Sequence, residues 1–139
     1  MISASSTSSG SPDRLWLLVS EVERWGERLP TVTSVRALEP WRDVGVGSRF
    51  EVRQPRLPTA VYEMTQWSPG RTFTWVAHAP GITTTATHTV SARADGSGLD
   101  LALEWSGPLA AVIRALLGRK AQAMVESEAQ TMARLAEQG

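Results

Sequence analysis

The side chains able to move a proton near neutral pH are few, and their positions define the chemistry open to this chain. Histidine occurs twice, as His78 and His88, tyrosine once, as Tyr62, and cysteine not at all. The lack of cysteine removes thiol nucleophiles, thiolate zinc sites and disulfide frameworks. Neither histidine has an acidic neighbour at ligand spacing, so no metal site is expected. The serines fall in an N-terminal tract or in turns and form no Gly-x-Ser-x-Gly, which argues against a serine hydrolase. Gly45-Val46-Gly47 leads into a strand instead of a helix, so it is no phosphate loop. What remains is acid/base chemistry in apolar surroundings. If Ala86, His88 and Val90 are the inward set of their strand, the imidazole sits among Tyr62, Phe73 and Trp75, able to donate or accept a proton. A one-residue shift of register would instead turn Thr83, Thr85, Thr87 and Thr89 inward and leave His88 in water. The candidate acid/base group is His88, with Tyr62 as its hydrogen-bond partner and Trp75 as a wall.

Other ionisable groups read as structural. His78 ends a strand before Ala79-Pro80-Gly81 and suits a solvated loop. Glu104 lies on the face opposite Leu103 and Trp105. Glu128 falls near an apolar helix stripe between Met124 and Met132, where a carboxylate needs a partner or a raised pKa; a helix-edge position reaching to water is the simpler reading. Arg49, Glu51, Arg53 and Glu63 form a wet outer sheet face. Arg56, in Pro55-Arg56-Leu57-Pro58, sits on a loop where it could guard a pocket entrance.

The elements that must position these groups follow from periodicity. Ser3 to Ser11 is either a flexible polar tail or a short polar strand. Ser11-Pro12-Asp13 before Leu15, Trp16, Leu18 and Val19 is a helix start with Ser11 as N-cap and Pro12 in the first turn. A second short helical stretch spans 22–28. The period then becomes two, predicting strands over 31–38, 47–53, 60–67, 72–77, 83–92 and 99–105. Ser68-Pro69-Gly70-Arg71 joins two of them as a hairpin that sets Tyr62 near Ala77, Met64 near Trp75 and Gln66 near Phe73. Ser106-Gly107-Pro108 opens a long helix to about Glu137, with an apolar stripe that includes Leu109, Ile113, Leu116, Leu117, Met124 and Met132. Gly118 interrupts the stripe and predicts a bend, with Leu116 and Leu117 as an adjustable gate.

This order is α+β: a bent antiparallel sheet wrapped around one long helix, leaving a space between them. The expected lining of that space is Met64, Phe73, Trp75 and Trp105 from the sheet and Leu116, Leu117 and Met124 from the helix. Six tryptophans against two phenylalanines supply large walls.

Composition agrees. The chain has 139 residues, 42% of them hydrophobic and 20% charged, which fits one globular domain spanning 1–139. Its 14 basic and 14 acidic residues give a formal net charge of +0. No nucleic-acid partner is expected from such a balance. No apolar run is long enough to span a membrane, and the first residues lack the basic and apolar regions of a signal peptide, so a cytoplasmic location is expected.

The Ser-Pro-Asp start with Leu15-Trp16, the run Val22-Glu23-Arg24-Trp25 leading to Leu29-Pro30, Val46-Gly47-Ser48-Arg49-Phe50, Trp67-Ser68-Pro69-Gly70-Arg71 and Ser106-Gly107-Pro108-Leu109 occur in an order that resembles the helix-grip superfamily. That superfamily (START/Bet v 1-like, SRPBCC) includes START domains, plant pathogenesis-related class 10 proteins and bacterial polyketide cyclase/dehydrase and lipid-transport proteins. The resemblance covers almost the whole chain. It implies a sheet of six or seven strands, two short helices after the first strand, and a cavity for a hydrophobic small molecule. It also implies either a polyketide cyclase/aromatase or dehydratase, or a non-catalytic carrier or sensor of a lipid or other hydrophobic metabolite, with no cofactor. One departure is that Ile2 is the only large residue where the first strand should alternate, which predicts weak pairing there.

Overall fold

The computed structural model describes residues 1–138 of the chain. Chain order is β1 (Ile2–Ser8), α1 (Pro12–Ser20), a 3-10 turn (Val22–Arg24), α2 (Trp25–Arg28), β2 (Ser34–Ala37), β3 (Arg49–Arg53), β4 (Ala60–Ser68), β5 (Thr72–Ala79), β6 (Ile82–Arg93), β7 (Gly96–Ser106) and α3 (Ala110–Glu137). All neighbours are antiparallel in the order β1-β7-β6-β5-β4-β3-β2, so the sheet is a meander closed at one edge by the N-terminal strand. This is the expected curved sheet wrapped around a long C-terminal helix.

The Ser/Thr-rich N-terminus is a fully formed strand, contrary to the expected weak pairing. All seven residues of β1 pair with β7, from Ile2 opposite Leu103 to Ser8 opposite Ser97. Small side chains are the reason. They make a low platform on which α3 can lie, and Ser8 Oγ donates to the Ala133 carbonyl at 2.7 Å while Ser97 Oγ donates to the Gly10 carbonyl at 2.8 Å. Gly10 lies so close to the helix that a Cβ there would stand 2.2 Å from the Ala136 carbonyl oxygen. Large alternating residues would have held the helix away.

At the start of α1, Ser11 Oγ accepts from the Arg14 amide at 3.1 Å, and Pro12 occupies the first turn, where its missing N–H costs nothing. Leu15, Leu18 and Val19 then face the core. Trp25 is fixed by donating Nε1–H to the Val19 carbonyl at 3.1 Å. The two short helices therefore plug one end of the sheet's concave face.

The β4–β5 hairpin pairs Tyr62 with Ala77 and Met64 with Trp75, but Gln66 pairs with Thr74 instead of lying by Phe73. A β-bulge between Met64 and Gln66 inserts one residue, and after it Trp67 is the residue opposite Phe73. Trp67 then reaches Trp16, with ring centroids 5.4 Å apart. No sequence period announces such an insertion.

In α3 every buried position lies from Ala121 onward, up to Ala136, and none in the first eleven residues. The first half stands over the concave face without being packed into it. The helix runs unbroken through Gly118, where an added Cβ would meet only Arg114 Cγ at 3.6 Å, an ordinary contact. Gly118→Ala is therefore expected to stabilise the protein by about 1 kcal/mol through helix propensity, raising Tm by a few degrees in a thermal melt. A fall in Tm would show that the helix needs its glycine.

Candidate functional site

Small residues on the inner faces leave room that the plug helices do not fill. Ala77 and Ala86 from the sheet and Ala121 from α3 stand where larger side chains would have closed the gap. The result is a cavity of about 560 Å³, the size of small-molecule sites in general. Its walls include Trp25, Tyr62, Trp75, Leu101 and Trp105, and α3 contributes Ile113, Leu117, Met124 and Glu128. The mouth lies between the first half of α3, the β3–β4 loop at Leu57 to Thr59 and the β5–β6 turn at Ala79 to Ile82.

Of the expected lining residues, Trp75, Trp105, Leu117 and Met124 reach this cavity together with His88 and Tyr62. Met64 and Phe73 do not: both are fully buried in the core, Phe73 packed against Trp16 and Trp25 where the short helices cover the sheet. Leu116 also fails, being 73% exposed. One helical step of about 100° separates Leu116 from Leu117. Leu117 is in phase with Ile113 and Met124 toward the cavity, whereas Leu116 follows Leu109 and Val112 outward. This removes Leu116 from the expected gate.

His88 faces inward, in register between Phe73 on β5 and Leu101 on β7. Its ring stacks on Phe73 with centroids 4.2 Å apart and planes 12° from parallel, and the Trp25 ring lies 5.4 Å away. Nδ1 is buried with no hydrogen-bond partner among the described residues. Burial lowers its pKa to about 4, with the Phe73 backbone acting weakly in the opposite sense. At neutral pH His88 is an uncharged ring. His78 is exposed at the rim of the mouth, its Nδ1 within 3.1 Å of Thr83 Oγ1. Glu104, as expected, is exposed on the outer face.

Glu128 is the residue that sequence reasoning misplaced. It lines the cavity instead of reaching to solvent, and Thr31 Oγ1 donates to its Oε2 at 3.0 Å. Burial raises its pKa to about 7, the Thr31 bond opposing only in part. A signal was present in the sequence: Ile113, Leu117, Met124 and Glu128 recur at steps of four, seven and four residues, one face of a helix. Opposite it, Tyr62 has a pKa raised to about 12, first by burial and then by the Glu128 charge. Its phenol stays protonated and packs against Trp75 with centroids 4.9 Å apart. The cavity thus holds one carboxyl poised between its two forms, one phenol O–H donor and one buried neutral imidazole, with His78 and Lys120 exposed at its rim. Among the described residues no three metal-ligating side chains converge.

The model of the family described as polyketide cyclase / dehydrase and lipid transport matches residues 1–137. The chain belongs to that family. Solved structures similar to this family member include the di-domain ARO/CYC StfQ from the steffimycin biosynthetic pathway, at TM-score 0.77 and 15% identity, covering 99% of this chain and 50% of that one. The chain thus spans half the length of that protein. TTHA0849 from Thermus thermophilus superposes at TM-score 0.76 with 15% identity over 97% of this chain and 95% of its own. Ara h 8.0201 does so at 0.71 and 14%, over 99% and 97%. At these identities the likeness shows the fold. A comparison with the curated proteins finds no significant match.

Two buried titrations oppose each other and make a test. Glu128 has a folded pKa above its ordinary 4.5, so it favours the fold at low pH and this contribution is lost as pH rises toward 7. His88 has a folded pKa below its ordinary 6.5, so its contribution is present above 6.5 and is lost as pH falls toward 4. Between about pH 5 and 6.5 the slopes cancel in wild type. Chemical denaturation of Glu128→Gln should uncover the His88 slope, with stability rising by roughly 2–3 kcal/mol from about pH 4 to 6.5. A flat Glu128→Gln profile would contradict the buried neutral imidazole.

Proposed function

We propose that the protein binds a hydrophobic small molecule between sheet and α3 and acts on it as an aromatase/cyclase or dehydratase of a poly-β-carbonyl compound. The observation that carries this reading is a carboxyl with a pKa of about 7 set in an apolar cavity opposite a protonated phenol. Such a group can take a proton from one site and return it to another at the pH of the cell.

The chemistry the arrangement supports is an intramolecular aldol condensation. Glu128 in its carboxylate form removes a proton from a methylene flanked by two carbonyls, and Tyr62 donates a hydrogen bond to the enolate oxygen. The enolate carbon attacks a second carbonyl of the same chain, and the resulting alkoxide takes its proton back from the Glu128 carboxyl. Loss of a second methylene proton to Glu128 and return of that proton to the departing hydroxyl release one water. The carboxyl ends each cycle as it began. Aromatic walls at Trp25, Trp75 and Trp105 hold the chain folded, and this orientation supplies much of the rate. His88, neutral and stacked on Phe73, serves as a polar wall in place of the acid/base group expected from sequence.

The experiment is turnover of a soluble poly-β-carbonyl surrogate, read as appearance of an aromatic chromophore and a mass loss of one water per ring. A second reading, a carrier or sensor, draws on the predominance of apolar lining around one carboxyl. Unmodified ligand recovered with the protein, with no product from the surrogate, would favour that reading.

A further inference from the structure

The first eleven residues of α3, Ala110 to Lys120, include no buried side chain. Ile113 and Leu117 look into the cavity, but Leu109, Val112 and Leu116 are 44%, 52% and 73% exposed. Their spacing of three and four residues puts them on one face beside the mouth. Leu109 rests in part on Gly81 of the β5–β6 turn, while Val112 and Leu116 stand open to solvent.

Charge around the stripe is one-sided. Arg119 and Lys120 follow Leu116 by one turn and flank the stripe, and Arg56 is exposed on the β3–β4 loop across the mouth. Between Trp105 and Val125 there is no aspartate or glutamate, nor is there one in the β3–β4 loop or the β5–β6 turn. A chain with formal net charge +0 has therefore gathered cations at the rim of its cavity and kept carboxylates away. We propose that the protein docks on an anionic lipid bilayer through Leu109, Val112 and Leu116, with Arg56, Arg119 and Lys120 meeting the headgroups. A bilayer suits the surface better than an acidic protein does. The exposed side chains are aliphatic and separated by alanines, with none of the aromatic anchors that mark protein interfaces, and a fluid apolar phase demands no fixed register. Docking in this orientation sets the mouth against the membrane, so a sparingly soluble ligand passes between bilayer and cavity without crossing water. The inference rests on the reading of the cavity as an apolar-ligand site.

The test is co-sedimentation of the full chain with phosphatidylcholine vesicles, with and without phosphatidylserine. Wild type is expected to sediment with the anionic vesicles, weakly with neutral ones, and less in high salt. Arg119→Glu should weaken binding by about 25-fold, since a cation near such a surface is worth about a factor of five and reversal doubles the change in charge, and Leu116→Glu, which adds one repelled charge and removes an inserted side chain, by about fivefold or more. Both variants alter exposed side chains and should keep the wild-type melting temperature and the wild-type uptake of an apolar fluorescent probe in solution. Equal partition of wild type to anionic and neutral vesicles, or undiminished binding by Leu116→Glu, would overturn the docking, as would retention by an acidic protein without vesicle binding. Vesicle binding with no probe uptake by wild type would instead uphold the docking and remove the cavity reading.

Discussion

Glu128→Gln is expected to lower turnover of a poly-β-carbonyl substrate by roughly 10²–10⁴-fold, the range that a positioned acid/base group supplies. Glutamine keeps the shape, can still accept the Thr31 hydroxyl bond and cannot carry the proton. Binding should survive, so the loss falls on kcat and leaves KM within a few-fold. The pH profile separates this role from a structural one. Wild-type kcat should bend at about pH 7, where Glu128 changes form, and the residual rate of the variant should not. The fold itself should gain from the change above about pH 7, because a buried carboxylate is replaced by a neutral group. A variant with wild-type kcat and the wild-type bend would remove Glu128 from the reaction.

Phe73→Ala should produce the largest loss of stability. Phe73 is fully buried, and its ring meets Trp16, Trp25, Trp67, Trp75 and His88 with centroids between 4.2 and 6.3 Å. Truncation removes the transfer energy of the ring and leaves a void whose neighbours are themselves rigid rings, held by the β5–β6 ladder and by the Trp25 bond to Val19. The expected cost is about 3–5 kcal/mol, a third or more of the stability of an ordinary domain. Urea denaturation should show it as a shift of midpoint with the slope preserved. A cost below about 1 kcal/mol would mean that the aromatic cluster relaxes into the space. Phe73 thus stacks under His88 and lies outside the cavity lining.

Most strands, the start of α1 and the long helix were legible because period, capping and turn chemistry are local. Ser11-Pro12-Asp13 carries its own explanation, and the inward set of Ala86, His88 and Val90 followed from alternation once its register was chosen. Three features escaped for one common reason: they depend on what lies opposite. The Ser/Thr tract, readable as tail or strand, pairs over its full length as β1, and its small side chains give α3 a low surface to lie on. The bulge before Gln66 moves Trp67 onto Trp16, and a hairpin turn alone does not reveal it. Glu128 follows the cavity phase of Ile113, Leu117 and Met124, yet a carboxylate at that position reads as a helix edge until the helix is seen to overhang an empty space. The same overhang decides between Leu116 and Leu117, adjacent leucines of which one faces the cavity and the other faces water.

Binding of an apolar molecule inside the cavity underlies every functional statement above, and Leu117→Trp measures it most directly. Leu117 lines the space, half-buried, and an indole there would intrude between α3 and the aromatic walls without displacing a packed core residue. Titration of wild type with a polycyclic phenol, followed by the quenching of tryptophan fluorescence, should saturate at one ligand per chain with micromolar affinity. The variant should bind about tenfold more weakly, or worse, while its melting temperature stays within a few degrees of wild type. Equal saturable binding by both proteins would place the ligand elsewhere and contradict the account.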